Sequence, residues 1–246
     1  MASSFTPKRK LCLSIGINAY THEQDLERAV QDAKDVGDSF YSLGFKVTSK
    51  YDCKFDDFKK TVEDFVANIT RNNIIAFYYA GHGKELDDVN YLLPTDYNDT
   101  QGVGTREVDS IKEHAINVQK ILANIHAKQP SVVILLLDCC RVKPNSRGGD
   151  PPRIVTMENS PQTFVAYSCA PGKIALENGK NSHNGYFAKY LVQHLRIPDI
   201  DFQLLMDRVI PCVQMETNKK QVPYCTNGLS HELQLTPKRF LGMTVQ

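Results

Sequence analysis

The chain has 246 residues, 41% hydrophobic and 23% charged, with a formal net charge of +1. That is the balance of an ordinary globular protein and gives no electrostatic reason to expect nucleic acid or an anionic membrane as a partner. No apolar run approaches the length of about 18 residues that a bilayer span needs, and the polar opening from Met1 to Lys10 does not read as a secretory signal.

In chain order, Leu11 to Gly16 reads as a strand ending in the loop from Gly16 to Tyr20. Leu26, Ala29, Val30, Ala33, Val36, Phe40 and Leu43 keep a helical period, and Gly44 stands at the expected stop. Phe45 to Lys50 alternates as a second strand. Phe55, Phe58, Val62, Phe65, Val66 and Ile69 give a second helix its apolar face. Ile74 to Ala80 is apolar throughout, which suits a strand buried on both faces of a parallel sheet. Lys84 to about Asn117 is rich in Asp, Gly and Asn and reads as a polar loop. Val118 to Ala127 is a third helix, stopped by Lys128-Gln129-Pro130, and Ser131 to Leu137 is a second fully apolar strand. Prolines and glycines mark 141–163 as an irregular loop, and Phe164 to Cys169 follows as a fifth strand. Gly185 to Leu195 and Asp201 to Met215 are helical, the second expected to kink or end at Pro211. Val222 to Cys225 and Glu232 to Leu235 are short strand candidates. The alternation predicts an α/β fold, a mostly parallel sheet between helices. With no linker-like stretch, residues 1–246 read as a single domain.

Two strand ends carry the chemistry. The first apolar strand stops at Gly81-His82-Gly83, the second at Asp138-Cys139-Cys140-Arg141. A connection of roughly 50 residues suffices for a parallel crossover, and neighbouring strands lie about 4.8 Å apart. As neighbours, they would bring His82 beside the cysteines at the carboxyl edge, where open α/β sheets place their sites. A thiol beside an imidazole is the minimum equipment of a cysteine nucleophile. Adjacent strand residues point to opposite faces, so one of Cys139 and Cys140 faces the helices and the other the cleft. The seven cysteines are odd in number and lack CxxC spacing, so they read as reduced thiols of a cytoplasmic protein.

Tyr78-Tyr79-Ala80-Gly81-His82-Gly83 and Leu135-Leu136-Leu137-Asp138-Cys139-Cys140-Arg141 resemble the histidine and cysteine motifs of caspase-fold proteases. The resemblance runs from Lys10 to about Leu235. It implies a three-layer α/β/α sandwich around a six-stranded, mostly parallel sheet. Its large-subunit-like part would cover about 10–140, its loop 141–163 and its small-subunit-like part 164–235. Carrying the motifs over makes Cys140 the nucleophile and His82 its partner. Asp138-Cys139-Cys140 stands where caspases carry Gln-Ala-Cys, and Arg141-Val142-Lys143 departs from the His-Ser-Gly of metacaspases. The Asp-x-Cys-Arg pattern is similar to that of paracaspases. The arginine with which caspases hold aspartate falls near Leu26, whereas Asp32 survives, and Glu177 matches the acid that paracaspases carry after the fifth strand.

Asp32, Asp138 and Glu177 all follow strands, so they can converge at the carboxyl edge, where three carboxylates repel one another unless a cation joins them. An arginine or lysine side chain completes such a set. The expected activity is therefore a cysteine endopeptidase acting on proteins or peptides cut after arginine or lysine. The amides of Gly83 and Cys140 are oxyanion-hole candidates. The chemistry needs no metal or cofactor. Dimerisation is expected through the final strand, between Val222 and Leu235, and limited self-cleavage near Arg147 and Arg153. Three alternatives stand beside this reading. They are a caspase-fold scaffold without turnover, a thiol redox protein (though CxxC is missing), and a calcium-dependent metacaspase-like protease using Asp87, Asp88, Asp96 and Asp99.

Overall fold

The computed structural model describes residues 9–98, 107–139, 161–170, 175–176 and 182–235. In chain order its elements are β1 (Lys10–Gly16), α1 (Ala29–Ser42), β2 (Lys46–Tyr51), α2 (Phe55–Ala67), β3 (Ile74–Gly81), β4 (Gly83–Leu86), β5 (Val89–Leu92), α3 (Glu107–His114), β6 (Ile116–Asn117), α4 (Val118–His126), β7 (Val132–Cys139), β8 (Thr163–Tyr167), α5 (Tyr186–Leu195), α6 (Phe202–Glu216) and β9 (Tyr224–Asn227). The main sheet has six strands in the order β2-β1-β3-β7-β8-β9. All its pairings are parallel except β8 with β9.

Strand alternation divides the apolar residues between two cores. Leu11, Leu13, Ile75, Phe77, Tyr79, Leu135, Leu137 and Cys139 share one cluster with Phe58 and Phe65 of α2 and Ile121 and Ile125 of α4. Cys12, Ala76, Tyr78, Ala80, Ile134 and Leu136 share the other with α1, α5 and α6. Burying both faces requires the unbroken apolar strands seen in the sequence. The layers are those of an α/β sandwich.

Three expectations need correction. The segment from Lys84 to Asn117 is more than a polar loop: β4 and β5 form a hairpin, and β6 joins it as a second, three-stranded sheet. Its polar appearance comes from Asp87-Asp88, both at positive φ (48° and 67°), which make the tight two-residue turn. Helix α6 passes through Pro211 to Glu216. Pro211 and Asp207 lie on its exposed side, where water can take the missing bond, while Leu205, Met206, Val209 and Val213 hold the buried face. Finally, Glu232 to Leu235 forms only a single bridge, Gln234 with Asp201, and the last strand starts at Tyr224 rather than Val222.

Candidate active site

Strands β3 and β7 are neighbours in register, Gly81 opposite Cys139, so the histidine and cysteine motifs end at the same edge. Two tyrosines hold the histidine's backbone. The His82 amide donates to Tyr20 Oη at 2.7 Å, and Tyr79 Oη donates to the His82 carbonyl at 2.8 Å. Burial pushes both phenols above their ordinary pKa, so they stay protonated. A Cβ on Gly81 would fall 2.5 Å from the Tyr79 hydroxyl and 2.7 Å from that of Tyr20, at a φ of +156°. Glycine is required there by both space and backbone.

The His82 ring packs on Tyr20 with centroids 4.5 Å apart. Its Nε2 lies 2.6 Å from the Gln24 carbonyl. A carbonyl only accepts, so Nε2 carries the hydrogen and Nδ1 is left with the lone pair that takes a proton. Gly83 begins β4. Leu93 N donates to His82 O, and the alternation of an antiparallel ladder makes Gly83 and Leu92 a pair without mutual bonds. The Gly83 amide is thereby turned away from β5.

Asp138 lies on the α1 and α5 face of β7, and Asp32 lies in the first turn of α1. Both line a cavity of about 50 Å³ together with His82, Gly81, Arg28 and Leu176. The two acids are held mostly by neutral groups. Asp32 Oδ1 accepts from Asn184 Nδ2 and from the Gly185 amide, each at 3.0 Å. Asp138 Oδ2 accepts from Tyr78 Oη at 3.0 Å, which favours its charged form. Arg28 is buried in the same wall. Its Nε donates to the Ser182 carbonyl, and it forms an ion pair with Glu27 at 3.0 Å. Burial first, and then the charge of Asp138, pushes Asp32 up to about 8; burial pushes Asp138 up to about 6.

This pair costs stability when ionised. The folded chain holds protons on Asp32 that the unfolded chain releases near pH 4. That contribution is fully present below about pH 4 and is lost as pH rises towards 8. Asp32→Asn keeps an Oδ1 acceptor for both donors and removes the charge. It is expected to stabilise the unliganded protein at pH 8 by about 1–3 kcal/mol, the cost range of an unsatisfied buried polar group. The gain should shrink towards pH 5. Thermal melts of both proteins across that range check this, and a Tm difference that is flat or of opposite sign contradicts it.

The structure brings together His82, Asp32, Asp138 and the Gly83 corner. Cys139 is 5% exposed and faces the core on the α2 and α4 side. Cys140, Glu177, Asp99, Arg147 and Arg153 lie outside the described residues. Asp96 is engaged elsewhere, accepting from the amide of Phe55 at the start of α2, and Asp87 pairs with Lys112 at 3.6 Å. Sequence reasoning missed Tyr20, Gln24, Asn184 and Gly185. An Asn-Gly pair immediately before an apolar helix is a signal that could have drawn attention to the last two. The position of the lost caspase arginine falls near Leu26, and Arg28 stands two residues on.

The caspase domain family matches residues 9–234. The chain belongs to the caspase domain family. It is 26% identical over 203 residues to the Mucosa-associated lymphoid tissue lymphoma translocation protein 1 of Homo sapiens and, to the same extent, to its Mus musculus homolog. Each match covers 82% of this chain and 23% of the relative, so the caspase-domain chain spans less than a quarter of those proteins' length. The resemblance to paracaspases read from the cysteine motif agrees with these matches. Among the described residues, no helix is long and apolar enough to cross a membrane.

Proposed function

We propose that this caspase-domain chain is a cysteine endopeptidase that cuts proteins after arginine, and less readily after lysine. Cys140 attacks the scissile carbonyl as a thiolate, and His82 accepts the thiol proton at Nδ1 and passes it to the leaving amine. The Gly83 and Cys140 amides are the oxyanion donors, each worth roughly 3 kcal/mol in such sites. The observation that carries the substrate class is the pair of carboxylates, Asp32 buried and Asp138 half-buried, in the cavity beside His82. Glu177 is the third acid of this pocket. Arg28 is the one arginine or lysine among the cavity's described lining, and it is already paired with Glu27. The carboxylates outnumber it, which favours a cationic guest over an acidic one. Mapping the cleavage sites of the purified chain in a proteome digest tests this. Arginine should dominate the cleaved position, and a set of cuts without basic residues would refute the reading.

The described cysteines are free thiols, in keeping with a reducing compartment such as the cytoplasm. Strand β9 pairs only with β8, and its other edge is uncovered among the described residues. Gly228 N donates to Thr163 O, so ladder alternation turns the backbone groups of Cys225 and Asn227 outward. Such an edge accepts a second strand, and antiparallel pairing with another copy closes a two-fold dimer. We expect specific activity to rise with protein concentration as the dimer forms. Activity strictly proportional to concentration across the dimerisation range would argue against this switch.

A further inference from the structure

Asp32 is gripped from one direction, the start of α5. Asn184 Nδ2 lies 3.0 Å from Asp32 Oδ1 and 2.7 Å from Asp35 Oδ2, so one neutral amide spans two carboxylates of α1. The Gly185 amide gives Asp32 Oδ1 its second donor. A Cβ on Gly185 would stand 2.9 Å from Asp32 Oδ2, so any larger residue there would push on that carboxylate. Both hydrogen bonds fall on Oδ1, and among the described residues no donor reaches Oδ2. Unpaired amides at a helix start favour negative charge nearby without supplying a competing cation.

We infer that Asn184 is a positioning residue for basic substrates: it ties Asp32 Oδ1 to the start of α5 and so leaves Oδ2 for the incoming cationic side chain. The inference rests on the basic-pocket reading above. A lysine or arginine in Asn184's place would hold Asp32 equally well but would fill the pocket's charge; a neutral amide holds the carboxylate and keeps it unspent. Charged and titratable groups face Asp32 from every side. They are Asp138 on β7, Tyr78 on β3, Asp35 on α1, and Arg28 and His82 in the cavity wall, with His183 standing 3.1 Å from Asp35. Among them Asp138 and Asp35 favour the protonated form of Asp32, and the Asn184 and Gly185 donors oppose it. Without the Asn184 amide, Asp32 keeps its proton to higher pH and its carboxyl is free to turn.

The test uses the full chain, Asn184→Ala and Asn184→Ser, with two matched peptides that carry arginine or neutral citrulline at the cleaved position. In Asn184→Ala, KM for the arginine peptide should rise about tenfold at neutral pH while kcat stays within about twofold. The acid limb of its kcat/KM profile should move to higher pH, and kcat/KM for citrulline should hold within about twofold. Asn184→Ser, with a hydroxyl donor, should recover most of the loss. An unchanged arginine KM and acid limb in Asn184→Ala overturns this inference alone. So does an equal loss on both peptides, which is the mark of a general structural role, with Tm reporting whether the variant is folded. An unsubstituted chain that does not prefer arginine to citrulline overturns the basic-pocket reading, and this inference with it.

Discussion

Cys140→Ala is expected to abolish peptide cleavage, lowering kcat/KM by about 10⁴-fold or more, while Cys139→Ala keeps most of the activity. The two cysteines are adjacent, but Cys139 closes β7 with its side chain in the core shared with α2 and α4, 5% exposed. A thiol packed there has no access to a substrate carbonyl. Its removal leaves a small void at the strand end, costing stability rather than chemistry. His82→Ala should lose as much as Cys140→Ala, and the double variant little more, because the two act as one unit. Measuring kcat/KM for the single and double variants decides the assignment. Equal loss in a folded Cys139→Ala protein would contradict it.

A peptide with arginine at the cleaved position is expected to outpace its aspartate counterpart by at least several hundred-fold. Placing a further carboxylate beside Asp32 and Asp138 in a small cavity costs several kcal/mol. Asp138→Asn should raise KM and lower kcat together, since it changes a pocket wall close to the nucleophile in sequence. Asp32→Asn and Glu177→Gln should act mainly on binding. Asp32→Asn then pairs a loss of substrate affinity with a gain in stability, the trade expected where a buried acid is kept for a cationic ligand. Matched peptides assayed against all three variants give these numbers. A preference for aspartate would instead assign the cavity to Arg28, and the substrate class would fall while the Cys-His chemistry stood.

Most of the sheet was legible because its strands are unusually uniform. Ile75 to Ala80 and Val133 to Leu137 are buried on both faces, and a run this apolar has few other places in a fold. Their stops at His82 and Asp138 put chemistry at the sheet edge. The segment from Lys84 to Asn117 misled because its turn residues are acidic; Asp87-Asp88 reads as solvated loop unless the apolar pairs around it, Leu86 and Tyr91-Leu92, are given more weight. Pro211 misled for a local reason, since its cost depends on whether water can reach the freed carbonyl, and a helical period alone does not settle that. The roles of Asn184, Gly185 and Gln24 were hidden for a deeper reason. They act through backbone groups and long-range contacts, with Asn184 meeting Asp32 across 152 positions and Gln24 meeting His82 across 58. Neither spacing nor periodicity carries such information.

The most direct measurement is titration of the purified chain with an arginine-tipped electrophile, followed by peptide mapping of the adduct. The proposed mechanism predicts one label per chain, on Cys140, with activity lost in step with labelling. Free arginine-containing peptide should protect against it, and the reaction should be absent in His82→Ala. Labelling on Cys139, labelling spread over several cysteines, or an equally fast reaction with an aspartate-tipped reagent would contradict it.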